Sequence, residues 1–99
     1  MRLSPDERKV ILAAAHRHFG EAAEVWLFGS RVRNNTRGGD IDLLVELPAP
    51  VSSPLALSLA FEADIQSELD DPKVDVLVHA AGEDASPIYR LARETGVRL

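Results

Sequence analysis

Between Val25 and Glu46 the chain reads VWLFGSRVRNNTRGGDIDLLVE, and this stretch constrains everything around it. An apolar run ends in Gly29-Ser30, a polar loop rich in arginine, asparagine and glycine follows, and Asp40-Ile41-Asp42 opens a second apolar run. Side chains alternate faces along a strand, so residues two apart point the same way. Asp40 and Asp42 are therefore expected side by side, with Ile41, Leu43 and Val45 turned into a core. Two unit charges about 4 Å apart repel by roughly 4 kcal/mol at an effective dielectric of 20. A carboxylate pair at the start of a buried strand is thus costly unless a cation offsets it, and hard oxygen ligands suit Mg²⁺. The Gly-Ser turn supplies a complementary half, because backbone N–H groups at such a turn can hold a phosphate. Phosphate on one side and metal on the other suit a nucleoside triphosphate.

The remaining composition sets bounds. Ninety-nine residues are the size of one domain, expected to span 1–99, and a chain of this size buries about 65% of its unfolded surface. It has no cysteine, which fits a reducing cytoplasm. No apolar stretch reaches the roughly 18 residues of a membrane span, and the N-terminus has no signal-type apolar region. The reading is a cytoplasmic protein without a membrane partner. Eleven Lys and Arg stand against sixteen Asp and Glu, a net charge of −5, so a general nucleic-acid binder, which would be basic, is not expected. The local exception is Arg31, Arg33 and Arg37, which gather in the loop where a phosphate would sit.

Ser4-Pro5-Asp6-Glu7 has the pattern of a capping box with proline at the first helical position. Val10, Ile11, Ala14, Ala15, His18 and Phe19 recur at helical spacing behind it, and Gly20 ends the run. Glu24–Phe28 reads as a first strand and Asp40–Leu47 as a second, with room for a short helical turn after Ser30. A connector rich in proline and serine, Pro48 to Pro54, leads into a helix started by Ser53-Pro54, with Leu55, Leu59, Ile65 and Leu69 among its apolar positions, ending at Asp70-Asp71-Pro72. Lys73–His79 reads as a third strand, with Val74, Val76 and Val78 on one face and Asp75 opening the other. If the second and third strands are neighbours, Asp75 joins Asp40 and Asp42. Ser86-Pro87 caps a last helix, Ile88 to Thr95, stopped by Gly96. The order α-β-β-α-β-α gives an α/β (α+β) domain with a small mixed sheet flanked by helices.

Other chemistry-bearing residues have plainer readings. His16 and His18 are read as surface and boundary residues, and His79 as a satisfied polar group at a strand end. Trp26 and Phe28 are read as core rather than as a base-stacking platform, and Ile88 and Leu91 likewise as core.

Gly29-Ser30, the gap to Asp40-x-Asp42, and a later strand carrying Asp75 together resemble the nucleotidyltransferase superfamily of the polymerase-β type. The LFGSR opening, the DIDLLVE strand and the short length are similar to the minimal nucleotidyltransferases. The resemblance runs from the first helix to Leu99. It implies that Gly29 and Ser30 hold the triphosphate, that Arg31 neutralises the leaving group, and that Asp40, Asp42 and Asp75 hold two Mg²⁺ ions. It further implies that Asp75 helps draw the proton from an attacking hydroxyl while AMP is transferred from ATP. Minimal members of this kind act as antitoxins that modify a tyrosine of a HEPN-type ribonuclease toxin, in a type VII-like toxin–antitoxin pair. That implies a HEPN partner and a protein adenylyltransferase. Two alternatives stand beside it: a binding antitoxin that masks such a partner without chemistry, and a small-molecule transferase subunit of the aminoglycoside type.

Overall fold

The computed structural model describes residues 3–29, 41–69 and 72–99. Helix α1 spans Pro5–Phe19 and begins on the expected capping box. The Glu7 N–H donates to Ser4 Oγ at 3.1 Å and the Ser4 N–H donates back to Glu7 Oε1 at 2.9 Å, so two donors that the first turn would otherwise leave unpaired are satisfied. Strand β1 (Glu24–Phe28) and strand β2 (Ile41–Leu47) follow, then helix α2 (Pro54–Glu68), strand β3 (Val74–Ala80), helix α3 (Pro87–Thr95) and a short strand β4 (Val97–Arg98). The third strand therefore lies one residue later than Lys73–His79. Asp40, expected as the first residue of the second strand, and the proposed turn after Ser30 both lie outside the described residues, as do Asp70 and Asp71.

The sheet order is β3-β2-β1-β4. β1 runs antiparallel to β2 and to β4, while β2 and β3 are parallel. Parallel neighbours need a crossover connection, and α2 provides it. The period of two then divides the sheet. Val25, Leu27, Ile41, Leu43, Val45, Leu47, Val74 and Ala80 are buried together with Ile11, Ala14 and Ala15 of α1 and Phe61 and Ile65 of α2. One face is thus closed by two helices, with Phe19 meeting Phe61 edge-on at a ring separation of 5.3 Å. The opposite face carries Asp42, Leu44 and Glu46 of β2 and Asp75, Leu77 and His79 of β3, and α3 packs over its β1 and β2 side.

The apolar positions of helix α2 divide between core and solvent. Its buried residues are Ser58, Phe61 and Ile65, whereas Leu55 is 71% and Leu59 55% exposed. At 3.6 residues per turn, Leu55 and Leu59 fall roughly a quarter-turn or more away from the stripe that meets the core. The apolar residues of α2 crowd its first half and Glu62, Asp64, Gln66, Ser67 and Glu68 its second, so no single polar face says which stripe turns inward. Ser53 precedes this helix without a side-chain capping bond. Ile88 and Leu91, read as core, are 48% and 46% exposed, since α3 buries Ala92 instead.

Strand β4 is an addition to the expected order. Trp26 pairs with Arg98 and Leu27 with Val97, and the Leu99 N–H donates to the Val25 carbonyl at 2.9 Å. Gly96 makes this possible. A Cβ there would run into the Ala92 carbonyl and lie 3.0 Å from the Leu27 carbonyl, so only a residue without a side chain lets the backbone leave α3 and drop onto the β1 edge.

The two core helices are also joined by charge. Arg17 donates to Asp64 at 2.8 Å and to Glu68 at 3.2 Å, and the His18 Nε2 lies 2.9 Å from Asp64 Oδ2. His18 is therefore the boundary residue expected. The Arg17 and His18 hydrogen bonds hold the Asp64 carboxyl below its ordinary value of 3.8. A depressed carboxylate contributes stability that is present above its unfolded pKa and disappears as pH falls through its folded pKa. In thermal melts from pH 7 down to pH 2, Asp64→Asn is expected to flatten the loss of stability below pH 4 relative to the parent protein. Equal slopes in both would assign the acid sensitivity elsewhere.

Candidate active site

Three of the features read from the sequence meet on the open face of the sheet. β1 ends at Phe28, which pairs with Asp42 across the antiparallel ladder. Gly29 follows at once and turns the chain with φ +81°, a left-handed conformation that residues with a Cβ rarely adopt. Its environment is as restrictive as its backbone. A Cβ on Gly29 would overlap the carboxylate oxygen of Asp42 and lie 3.2 Å from its Cγ. The Gly-Ser turn and the Asp42 carboxylate are thus in direct apposition, with no room for a side chain between them.

Asp75 completes the arrangement from the other side. β2 and β3 are neighbours, as the expectation required, and their parallel register sets Asp42 directly opposite Asp75. Neighbouring strands lie about 4.8 Å apart, so two carboxylates share one edge of the open face. Asp42 is half-buried and Asp75 exposed. Two hard-oxygen donors converging on an open face, beside a turn of backbone, form a donor set of the kind that Mg²⁺ takes. Ser30, Arg31, Arg33, Arg37 and Asp40 lie outside the described residues. Among the described residues no group of three His, Cys, Asp or Glu side chains gathers to hold a metal; the pair Asp42 and Asp75 is what the described part of the site contains.

Further along the same face lies a polar cluster that the sequence reading did not single out. Glu46 Oε2 is 2.6 Å from His79 Nδ1. Its other oxygen accepts from the Tyr89 hydroxyl at 2.5 Å and from Arg93 at 3.1 Å. His79 and Tyr89 are stacked at 3.8 Å with 17° between their rings, and the Arg93 guanidinium sits 4.6 Å above the Trp26 ring. The bond to Glu46, followed by burial, raises the Tyr89 phenol above its ordinary value of 10.0, so it remains a neutral donor. His79 is therefore the satisfied group expected. Trp26 and Phe28 correct the reading as core in a specific way. They lie on the face opposite the main core, Trp26 half-buried beneath Arg93, because Val25 and Leu27 take the inward positions of β1. A signal for the cluster was present in the sequence: Glu46 stands four residues after Asp42, and His79 four after Asp75.

A glycine turn set against one aspartate, with a second aspartate facing it from the adjoining parallel strand and helices backing the sheet, is the layout of a nucleotidyltransferase-type domain. The chain matches the nucleotidyltransferase domain family over residues 8–95; it belongs to that family, and is a polymerase-β-type nucleotidyltransferase. No curated protein matches it. No helix among the described residues is long and apolar enough to cross a membrane.

The contact between Gly29 and Asp42 can be tested directly. Gly29→Ala introduces backbone strain at positive φ, which costs about 1–3 kcal/mol, and pushes the turn off the carboxylate. Urea unfolding is expected to show that loss, and calorimetry a weakened Mg²⁺-dependent binding of ATP. Unchanged ATP binding would separate the turn from the nucleotide.

Proposed function

We propose that this chain is a Mg²⁺-dependent adenylyltransferase that moves AMP from ATP to a protein hydroxyl, with a tyrosine of a HEPN-type toxin as acceptor and silencing of that toxin as the outcome. The observation that carries the transfer chemistry is the apposition of Gly29, Asp42 and Asp75. The protein acceptor is supported by the exposed apolar side chains Ile88 and Leu91 on α3, the helix that packs on the same side of the sheet as the carboxylates, and by the resemblance to minimal nucleotidyltransferases.

In this reading the backbone N–H groups at Gly29 and Ser30, with the serine hydroxyl, bind the β- and γ-phosphates, and Arg31 offsets charge on the departing pyrophosphate. Asp40, Asp42 and Asp75 would hold two Mg²⁺ ions, which supply charge neutralisation at the attacking and leaving oxygens. Asp75, exposed at the start of β3, receives the proton of the acceptor hydroxyl. The hydroxyl oxygen forms a bond to the α-phosphorus, the bond from that phosphorus to the bridging oxygen of the β-phosphate breaks, and pyrophosphate leaves. The rest of the protein's part is orientation. A face fixed by two ladders holds its carboxylates before substrate arrives, so little reorganisation accompanies the reaction.

Asp42→Asn keeps size and removes one charge of the facing pair. AMP transfer is expected to fall by two or more orders of magnitude, an effect on the order of 3 kcal/mol in the barrier, with the circular dichroism spectrum unchanged. The melting temperature without Mg²⁺ should be no lower than that of the parent, since a repulsion has been relieved. Asp75→Asn should be similarly inactive while retaining nucleotide binding. Transfer at the parental rate by pure Asp42→Asn would sink the carboxylate assignment.

The acceptor is tested by mass spectrometry of a HEPN-type partner co-produced with this chain. AMP adducts on a partner tyrosine are expected, and they should vanish when Asp40 and Asp42 are both replaced by asparagine. A partner that stays unmodified yet is still neutralised by that double variant would make this chain a masking antitoxin instead.

A further inference from the structure

Each strand that carries a candidate carboxylate carries a second polar residue four positions on, Glu46 after Asp42 and His79 after Asp75. Four positions along a strand return to the same face. Because β2 and β3 are parallel the two offsets coincide, so that Asp42 stands opposite Asp75 and Glu46 opposite His79 in one continuous register. The two rungs differ in kind. The first sets like charges against each other, while the second is bonded at 2.6 Å. The bonded rung is itself held on several sides: Tyr89 stacks on His79, Tyr89 and Arg93 donate to Glu46, and the Glu83 carbonyl lies 3.3 Å from His79 Nε2.

We propose that the Glu46–His79 pair is a register lock, and that His79 is a positioning residue for nucleotide transfer which keeps Asp75 opposite Asp42. The proposal rests on the reading of Asp42 and Asp75 as metal-holding carboxylates. β3 needs such a device for three reasons. Among the described residues it is an edge strand, paired within the sheet to β2 alone. Its carboxylate rung works against pairing. Its inward residues are Val74, Val76, Val78 and Ala80 in alternation, and this all-apolar pattern tolerates a slip of two residues. A slip of one would turn the valines outward and is excluded by burial. A slip of two keeps them inward and is not. It would, however, carry His79 opposite Leu44 or Pro48, where no carboxylate is available to it. The Glu46–His79 bond is what tells the working register from its neighbours.

The test reads metal binding rather than turnover. Mn²⁺ binding to the full chain with a non-hydrolysable ATP analogue is followed by electron paramagnetic resonance for four proteins: the parent, His79→Phe, His79→Asn and Asp42→Asn. His79→Phe preserves a ring against Tyr89 and removes the hydrogen bond; His79→Asn gives up the ring but can place an amide N–H near the position of Nδ1. A register lock predicts that His79→Phe weakens Mn²⁺ binding about tenfold, the lower end of the range for groups that support metal ligands, and that His79→Asn stays close to the parent. Mn²⁺ binding by His79→Phe at the parental affinity, or an equal loss in both variants, would overturn the proposal. Glu46→Leu breaks the same bond from the other strand and serves if His79→Phe does not fold, with the same tenfold loss expected and unchanged affinity again overturning the lock. Asp42→Asn separates the two levels of the argument. If it binds Mn²⁺ normally, the carboxylate reading itself has failed. If it loses Mn²⁺ while His79→Phe and Glu46→Leu keep it, the lock alone has failed.

Discussion

Strand β2 is shared between two ladders of opposite sense, and its register with both neighbours is the constraint on which the molecule depends. Against β1 it runs antiparallel and brings Asp42 to Phe28, beside the Gly29 turn; against β3 it runs parallel and brings Asp42 to Asp75. The same residues that fix these pairings also fix the core. Ile41, Leu43, Val45 and Leu47 are buried beneath α1 and α2, so the alternate positions must face the open side. A displacement by one residue would bury Asp42 and expose the leucines together. Stability and site geometry are therefore two consequences of one register, and the hydrophobic effect that forms the core also aims the carboxylates.

The open face has a division of labour along its length. Beside the β1 turn, a half-buried and an exposed aspartate set like charges opposite each other, a local cost that a cation can relieve. At the other end, opposite charges and stacked rings close the sheet under α3. Glu46 is the centre of this second region, with each carboxylate oxygen engaged by a different element. A half-satisfied buried carboxylate would be a liability; one satisfied by β3 and α3 at once ties those elements to the central strand.

Much of this was legible in the sequence because the decisive signals are local. The Ser4–Glu7 box, the proline starts, the alternation in LLVEL and the Gly29-Ser30 turn each depend on neighbours a few residues away, and the helices and strands follow them closely. Asp75 was legible as a strand-start carboxylate, and its meeting with Asp42 required only that two strands adjoin. What escaped depended on tertiary choice. Leu55 and Leu59 lie in the apolar first half of α2, so burial there was decided by which stripe met α1. Ile88 and Leu91 were read inward because they are apolar, whereas the small Ala92 is what lets α3 approach the sheet. β4 is two residues long, too short for any period to announce it, and exists because Gly96 allows the chain onto an edge. Trp26 was read as core because it lies in an apolar strand, yet strand alternation puts it on the face that Arg93 covers.

The parallel pairing of β2 and β3 also bears on the order in which the site comes into being. The β1 turn and Asp42 belong to antiparallel neighbours joined directly through the chain between them, whereas Asp75 arrives only after the connector and α2 have crossed over the sheet. Contacts of long sequence separation form after local ones, because the entropy of closing the loop must be met before the contact contributes. A chain caught before that crossover docks would have the Gly29 turn and Asp42 in place but no facing carboxylate. If Asp42 and Asp75 hold a cation as proposed, the ability to hold it becomes a report on completed folding.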